Sequence, residues 1–324
     1  MTILNAAVVG YGNLGKGAEA AIQAAPDMRL AGIFTRRDPA GLATDSPCYR
    51  LDDLPDFRGS IDVCLLCGGS ATDLFDQAPW VAGMFNTADS FDTHARIPEY
   101  HQKVQASAAP SRHAAVISAG WDPGLFSLHR LIMESVLPQG STATFWGPGV
   151  SQGHSDAVRR LPGVLDAVQY TIPREEALEK ARLGQAGALS PRDKHRRVCY
   201  VLAQEDADTA DIERQIVTMP NYFSDYDTEV HFISADDMAR HRRAMPHAGR
   251  VIRQGHTVPE HGQLMEFSLQ LSSNPGFTAS ALVAYARAAC RLAREGRYGA
   301  FTAFDVPPAY LSPLPWEDLV RRLM

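Results

Sequence analysis

The sequence predicts an α/β protein that begins with a parallel sheet and continues into a second, differently patterned α/β domain. Strand and helix patterns alternate through the first part of the chain, which implies right-handed crossovers and parallel strands. A glycine-rich turn directly after the first strand points to the same arrangement. The predicted strands of this sheet are 3–9, 29–34, 61–67, 86–91 and 114–118, and a helix is predicted over 94–109.

Composition excludes several classes of protein. The 324 residues contain 45% hydrophobic and 21% charged residues, which are ordinary values for globular domains. A net charge of −6 argues against nucleic-acid or anionic-membrane partners. No apolar segment is long enough to span a bilayer, and no secretion signal is recognisable at the start. The five scattered cysteines are odd in number, which is typical of reduced thiols, and we expect a cytoplasmic protein.

The turn after the first strand has the spacing G-x-G-x-x-G over 10–15. Gly10 permits the tight turn, Gly12 lets the backbone approach a pyrophosphate, and Gly15 lets the following helix lie close to the strand. The free N–H groups of that helix would bind the phosphates. We therefore predict a Rossmann-type dinucleotide site, the alternative being a glycine-rich turn without a ligand.

The second strand ends in Thr35, Arg36 and Arg37, where a cofactor with a free ribose 2′-hydroxyl usually meets a carboxylate. Two guanidinium groups match a phosphate instead. This favours NADP(H) over NAD(H), although a solvated basic turn is possible. The other predicted cofactor contacts follow the strands of the sheet: Gly10, Tyr11, Gly12, Asn13, Leu14, Gly15, Cys67, Gly68, Gly69, Ser70, Ala71, Thr72, Ser90, Phe91, Asp92, Ala119, Gly120, Trp121, Asp122 and Pro123. Ser70 or Thr72 could instead cap the next helix.

Cys64 and Cys67 form a C-x-x-C within an apolar strand, and no second pair exists to complete a zinc site, so we interpret both as core residues. Four histidines, His241, His247, His256 and His261, lie among arginines without regular ligand spacing. We therefore predict no metal site and place these histidines in solvated loops or in contact with substrate.

Two carboxylates, Asp92 and Asp122, follow strands at the edge of the sheet where ligands bind. Such a pair can hold a substrate ammonium group and accept its proton before a hydride leaves the adjacent carbon. Helix capping is the structural alternative for both. Trp121 and Trp146 stand beside glycines at strand ends and are candidates for the walls of a pocket, with burial in the core as the alternative.

The pattern changes after Gly124. A helix is predicted over 125–137, and further helices near 174–183 and 208–218. Strands are predicted at 142–146, 164–171, 196–203, 227–233 and 263–272, which suggests a mostly antiparallel or mixed sheet. A turn or hinge at 274–276 precedes a helix over 277–295. Arg197 suits a substrate carboxylate, although surface polarity is the simpler interpretation for it and for Thr171, His247 and Asn274.

The whole chain resembles the meso-diaminopimelate dehydrogenase family. The resemblance rests on the stretches 9–15, 32–37, 69–73, 120–124, 145–156, 245–247 and 274–280, of which FWGPGVSQGHSD over 145–156 is the most specific. It implies NADP-dependent, reversible oxidative deamination of the D-centre of meso-2,6-diaminopimelate, yielding L-2-amino-6-oxopimelate and ammonia, within lysine biosynthesis. It also implies a nucleotide domain over 1–120, with 275–324 packing back on it, and a substrate and dimerisation domain over 121–274 of a homodimer.

The resemblance also implies roles for single residues. Asp92 and Asp122 would hold the D-centre ammonium, and the substrate contacts would be Trp121, Trp146, Ser151, Gln152, Gly153, Thr171, Arg197, His247 and Asn274. Ala119 and Gly68 depart from the family pattern near the nicotinamide. The alternatives are a broadened D-amino-acid dehydrogenase, another NADP oxidoreductase such as dihydrodipicolinate reductase, and an NADP-sensing regulator without catalysis.

Overall fold

The computed structural model describes residues 3–243 and 245–324, which divide into two compact units. Unit 1 comprises the chain up to Leu128 together with Pro275–Met324, and unit 2 comprises His129–Asn274. Within the described residues, no helix is both long and apolar enough to cross a membrane.

Unit 1 contains a seven-stranded sheet in the order β14-β6-β5-β4-β1-β2-β3, with every neighbouring pair parallel. Its strands are β1 Leu4–Val9, β2 Met28–Thr35, β3 Cys48–Arg50, β4 Val63–Leu66, β5 Asn86–Asp89, β6 Ala114–Val116 and β14 Gly299–Phe301. Because helices cover both faces, the strands are continuous apolar runs rather than alternating ones. Two apolar clusters result, one on each face of β1: Ala6 and Val8 belong to the first, and Ala7 and Val9 to the second.

The helices of unit 1 connect and cover these strands. They are α1 Asn13–Ala24, α2 Leu74–Ala82, α3 Ile97–Ala108, α4 Leu125–Val136, α10 Asn274–Arg294 and α11 Trp316–Leu323, with α4 and α10 crossing the boundary between the units. The long helix α10 contributes Leu282 and Ala286 to the same apolar cluster as Ala6 and Val8. A buried ion pair between Arg287 on α10 and Asp27, with Nη2 to Oδ1 2.7 Å, adds a polar anchor within this unit.

Unit 2 contains two smaller sheets, a four-stranded one in the order β11-β10-β9-β8 and a three-stranded one in the order β13-β12-β7. All pairs are antiparallel except β10 with β11, so the larger sheet is mixed. The strands are β7 Gln139–Trp146, β8 Gly149–Val150, β9 Val164–Pro173, β10 His195–Ala203, β11 Asp227–Phe232, β12 His247–His256 and β13 Gly262–Leu271. The helices are α5 Gln152–Arg159, α6 Glu175–Arg182, α7 Pro191–Lys194, α8 Thr209–Val217 and α9 Ala235–Arg243.

The predicted fold class is confirmed: a Rossmann-type parallel sheet is joined to a second α/β unit. Several elements were missed, among them β3, β12, β14 and helix α5. The predicted hinge at 274–276 is wrong, because α10 begins at Asn274 and Pro275 occupies its first turn, where a backbone N–H has no partner within the helix. The division into a nucleotide domain and a substrate domain at residue 120 stays a prediction.

Candidate active site

The glycine turn of unit 1 has the geometry that its spacing predicts. Gly10 has a φ of +93°, and its N–H donates to the Phe34 carbonyl at 2.8 Å. A Cβ added at Gly15 would lie 2.2 Å from the Gly10 carbonyl oxygen, so close packing requires glycine there. A Cβ at Gly12 would meet no atom within 4 Å. The fold itself therefore sets no steric demand at Gly12, whereas a phosphate approaching the start of α1 would.

A cleft of about 320 Å³ opens beside this turn. It brings together Gly10, Tyr11, Gly12, Thr35, Arg36, Arg37, Cys67, Gly68 and Gly69 from the predicted cofactor set, and it adds Phe34, Leu51, Asp73 and Gln77, which sequence reasoning did not select. The departure at Gly68 has a physical reason, since a Cβ there would lie 2.8 Å from the Cβ of Asp73.

The two arginines of the cleft have different partners. Arg37 donates to the Tyr11 carbonyl and so braces the glycine turn. Arg36 is 69% exposed at its side chain and forms an ion pair with Asp73. Burial alone would raise the pKa of Asp73, but hydrogen bonds from the Gly69 N–H and from Arg36 lower it below its ordinary value. The carboxylate of Asp38, which follows Arg37, accepts the Ala40 N–H at 3.1 Å and so belongs to its own turn.

Asp92 and Asp122 follow neighbouring strands of unit 1, since β5 and β6 pair directly. The loops after these strands are in contact, because a Cβ at Gly120 would lie 3.3 Å from the Cβ of Ser90. Asp92 is exposed and Asp122 is half-buried. Capping of a helix by Asp92 is wrong, since the turn at His94–Arg96 has Thr93 at its N-cap position.

Three further predicted cofactor contacts, Ser70, Thr72 and Phe91, follow strands of the same sheet in unit 1. Ser70 accepts the Asp92 N–H at 3.1 Å, and helix α2 has Asp73 rather than Ser70 or Thr72 at its N-cap position, so the capping alternative is wrong for both. Phe91 is fully buried and stacks on Tyr100 with 4.1 Å between the ring centroids, which leaves only its backbone for a ligand.

The two candidate tryptophans differ in exposure. Trp121 is 8% exposed and meets Phe126 edge to face, with centroids 5.1 Å apart. Trp146 in unit 2 is 40% exposed. The Trp146 N–H donates to His195 Nε2 at 3.0 Å, and His195 was not selected from the sequence. Burial together with the charge of Arg197 lowers the pKa of His195 to about 4, so its imidazole is neutral at pH 7.

Three of the polar residues that the sequence placed at the surface are buried in unit 2. Thr171, Arg197 and His247 are 4%, 7% and 9% exposed, so the interpretation as surface polarity is wrong for them. Thr171 and Arg197 face each other across β9 and β10. His247 begins β12, and a Cβ at Gly149 would lie 2.6 Å from its Cα, which shows how closely β8 and β12 approach.

Arg197 is a buried cation, and the part of the chain that the structure describes provides no buried anion beside it. Its Nη1 donates to Thr171 Oγ1, and its guanidinium lies 4.0 Å from the ring centroid of Tyr226. Its Nε has no hydrogen-bond partner, and no ion pair joins Arg197 to an acid within residues 3–243 and 245–324. Burial lowers the pKa of Arg197, which is the expected cost of an uncompensated charge. Such a group is a strong candidate for binding an anionic ligand.

The segment at the start of α5 contributes further polar groups. The Ser151 N–H donates to the Gln169 carbonyl at 2.9 Å, and Gln152 Nε2 donates to Met245 Sδ at 3.0 Å. Gly153 has no atom within 4 Å of an added Cβ. Asn274 is half-buried, and its N–H donates to the Met245 carbonyl at 2.9 Å.

His154 is a second histidine that sequence reasoning missed. Its Nδ1 lies 2.7 Å from Ser151 Oγ, within hydrogen-bond distance. Burial and the nearby Arg197 lower the pKa of His154 to about 4, so this imidazole is also neutral at pH 7. The signal available in the sequence was its position within the specific stretch over 145–156.

The remaining cysteine and histidine predictions have separate outcomes. Cys64 and Cys67 are buried thiols, as predicted, and burial raises the pKa of Cys67 to about 12. Of the two predicted environments, the solvated loop is wrong for His241 and His247, which lie on α9 and β12, whereas contact with substrate stays a prediction. His241 lies on α9 and stacks on Tyr200 at 4.1 Å. Within the described part of the chain, no three His, Cys, Asp or Glu side chains are grouped as metal ligands.

Comparison with known proteins identifies the family. The model for the diaminopimelic acid dehydrogenase C-terminal domain matches residues 120–273. A meso-diaminopimelate D-dehydrogenase from Ureibacillus thermosphaericus is 56% identical, with 100% of both chains covered. A mutant meso-diaminopimelate dehydrogenase from Clostridium tetani E88, solved with DAP, is 48% identical with a TM-score of 0.94, covering 99% of this chain and 100% of that one.

A third relative is an engineered D-amino acid dehydrogenase bound to NADP+. It is 44% identical with a TM-score of 0.89, and 100% of both chains is covered. Full-length identity of this order, together with the matching domain model, leaves one assignment. The chain belongs to the meso-diaminopimelate D-dehydrogenase family of oxidoreductases.

Proposed function

We propose that this protein catalyses the NADP-dependent, reversible oxidative deamination of the D-centre of meso-2,6-diaminopimelate to L-2-amino-6-oxopimelate and ammonia. The observation that carries this proposal is Arg197, a buried guanidinium that no described acid neutralises. A substrate with a second carboxylate, remote from the reacting carbon, supplies the missing anion. A short D-amino acid has no such group.

The cofactor proposal rests on the cleft of unit 1. Gly12 is open to the approach of a phosphate, and the N-terminus of α1 offers backbone donors to it. Thr35, Arg36 and Arg37 line the same cleft and suit a ribose 2′-phosphate. These residues fit NADP(H), whose oxidised form accepts a hydride when bound. The engineered relative bound to NADP+ supports the same choice.

Asp92 and Asp122 have the chemistry required at the D-centre. Two carboxylates bind an ammonium group, and one of them accepts its proton. The amine must become neutral because its lone pair forms the carbon–nitrogen double bond as the hydride leaves. Water then attacks the resulting imine, and ammonia is released. Trp121, which precedes Asp122 in the same loop, would provide an apolar wall beside the reacting carbon, and the family resemblance gives Trp146 of unit 2 a substrate contact.

We assign the distal L-centre to unit 2. The Clostridium tetani mutant solved with DAP carries changes at a Gln, Thr, Arg, Pro, His and Asn separated by 19, 26, 49, 1 and 27 residues. The same residue types occur here with the same separations: Gln152, Thr171, Arg197, Pro246, His247 and Asn274. This agreement supports Gln152, Thr171, Arg197, His247 and Asn274 as substrate contacts, with Ser151 and Gly153 beside Gln152.

A dehydrogenase of broad D-amino-acid specificity is the second candidate, because an engineered relative has that description. Retention of all these polar residues favours diaminopimelate instead. The test is the rate of NADPH formation with NADP+ and either meso-diaminopimelate or D-alanine at equal concentration. We expect kcat/KM for meso-diaminopimelate to exceed that for D-alanine by at least about 100-fold, the discrimination expected when one substrate leaves buried polar groups unpaired. Comparable values would establish the broad enzyme.

The cellular setting is part of the same proposal. We propose a role in lysine biosynthesis on the basis of the family resemblance, and a cytoplasmic location because the odd set of free cysteines suits a reducing compartment. We further propose a homodimer that forms through unit 2, on the basis of the family resemblance. Sedimentation of the purified protein would test the dimer directly.

A further inference from the structure

The loops that carry Asp92 and Asp122 share one buried acid, Asp89. This residue ends β5 and is fully buried. Its Oδ1 accepts the Phe91 N–H at 2.9 Å and the Ser118 N–H at 3.1 Å, and its Oδ2 accepts the Tyr100 hydroxyl at 2.7 Å. Its backbone carbonyl accepts the Ala119 N–H at 2.8 Å. One residue therefore binds donors from its own loop, from the neighbouring loop and from α3.

These donors lie directly before the candidate catalytic residues. Phe91 precedes Asp92, whereas Ser118 and Ala119 precede the segment 120–122 that ends in Asp122. Ser118 has a φ of +53°, a left-handed conformation that a residue other than glycine keeps only when its surroundings hold it. The bond from its N–H to Asp89 is one such restraint. The conformation of one loop is thus tied to that of the other.

The carboxylate is required for this arrangement because its two oxygens accept three hydrogen bonds. Desolvation raises the pKa of Asp89 to about 6, and the bonds from Phe91, Ser118 and Tyr100 oppose that shift. At pH 7 the group is an anion, and hydrogen bonds to an anion are roughly twice as strong as neutral ones. An asparagine would keep one acceptor oxygen but replace the other with a donor and remove the charge.

We propose that Asp89 is a positioning residue, whose carboxylate ties the Asp92 loop to the Asp122 loop and sets the spacing of the two acids. This inference rests on the proposed function, in which both acids act on one ammonium group. Errors of about 1 Å in such a spacing reduce rates by up to about 100-fold. Asp89 itself would contact neither substrate nor cofactor and would act only through the two loops.

The test is Asp89→Asn, with Asp27→Asn as the matched control. Asp27 is also buried in unit 1, but it pairs with Arg287 and binds neither loop. Three quantities are measured for each variant: Tm, the Kd for NADPH without substrate, and kcat with saturating meso-diaminopimelate and NADP+. We expect both variants to have a lower Tm, and Asp27→Asn to keep its Kd for NADPH within about twofold. Only Asp89→Asn should lose kcat, by about 10-fold or more.

A double variant tests whether Asp89 acts through the catalytic pair. Adding Asp89→Asn to Asp92→Ala should cost much less than it costs in the wild type, since the spacing no longer matters once one acid is gone. Equal losses in both backgrounds, kcat within twofold in Asp89→Asn, or an equal kcat loss in Asp27→Asn would overturn the inference. A wild-type protein that does not oxidise meso-diaminopimelate would instead overturn the proposed function.

A milder variant decides the matter if Asp89→Asn does not fold. Tyr100→Phe keeps the ring that stacks on Phe91 and removes only the hydroxyl donor to Asp89. Losing that donor raises the pKa of Asp89 further and leaves part of the population neutral, which weakens the loop bonds. A kcat loss of about threefold supports the inference, and a kcat within about 1.5-fold of the wild type contradicts it.

Discussion

The two units hold their candidate functional groups in opposite ways. In unit 1, Asp92 is exposed and Asp122 half-buried, and the buried Asp89 fixes the backbone beneath them. In unit 2, Thr171 and Arg197 are themselves buried, on paired strands. An exposed acid remains hydrated in the free protein and exchanges protons with water, whereas a buried arginine strongly rejects a ligand that fails to pair with it. The comparison assigns chemistry to unit 1 and selectivity to unit 2.

The largest effect should come from the acids of unit 1. Replacing Asp92 with alanine should lower kcat by about 100-fold or more, the usual contribution of a positioned proton acceptor. Steady-state assays with meso-diaminopimelate measure this loss. The control is Asp76→Ala, which removes an acid from α2 that pairs with Lys103 on α3. A kcat for Asp92→Ala within threefold of the control would remove chemistry from this edge of the sheet.

Arg197 should govern selectivity rather than turnover. Arg197→Met removes a charged hydrogen-bond donor worth about 1.5–3 kcal/mol, so KM for meso-diaminopimelate should rise roughly 10- to 100-fold, while the weak reaction with D-alanine changes little. The next residue provides a matched control. The side chain of Arg196 is 41% exposed and pairs with Glu229, so Arg196→Met should leave both reactions unchanged. Equal losses for the two substrates in Arg197→Met would contradict the assignment to a distal carboxylate.

The two arginines of the cleft should have different effects on the binding of NADPH and NADH. Arg36→Ala should raise the Kd for NADPH by about 10-fold and leave the Kd for NADH within twofold, because of the two cofactors only NADPH carries a 2′-phosphate for this guanidinium to bind. Arg37→Ala should raise the Kd for both cofactors, since Arg37 also donates to the Tyr11 carbonyl of the glycine turn. Fluorescence titration without substrate measures each Kd. Parallel losses for NADPH and NADH in Arg36→Ala would argue against a phosphate site.

The smallest effect concerns the pH dependence of stability. His195 has its pKa lowered to about 4 by burial and by Arg197, so between pH 6.5 and 4 the unfolded chain binds the additional proton. Stability therefore falls as the pH drops through this window. Between pH 7 and pH 5, the wild type should lose about 1–2 kcal/mol more free energy of unfolding than His195→Gln. Urea unfolding at both pH values measures the difference, and equal losses would show that His195 titrates normally.

The sequence predicted unit 1 better than unit 2 because the signals of unit 1 are local. Gly10, Gly12 and Gly15 lie within six residues of chain, and their roles follow from spacing alone. The burial of Arg197 depends on the register of β9 with β10 and on Tyr226, which are remote in sequence. Composition therefore indicated a surface residue where the fold has a buried one.

Asp89 shows the same limit within unit 1. Asp89 lies inside the predicted strand over 86–91 and was not selected from the sequence, because its partners Tyr100 and Ser118 are 11 and 29 residues away. His247 was missed as a strand residue because β12 carries arginines and glycines that read as a loop. Pairing with both β7 and β13 outweighs those local preferences.

A comparison of two stereoisomers tests the different roles of the two units most directly. Purified protein with NADP+ is given either meso-diaminopimelate or the L,L-isomer, and NADPH absorbance is followed. Because the acids of unit 1 are assigned to a D-configured carbon and Arg197 to the opposite L-configured end, NADPH should form with the meso compound and not with the L,L-isomer. Equal rates with both isomers, or no reaction with the meso compound, would contradict the assignment of chemistry to unit 1 and selectivity to unit 2.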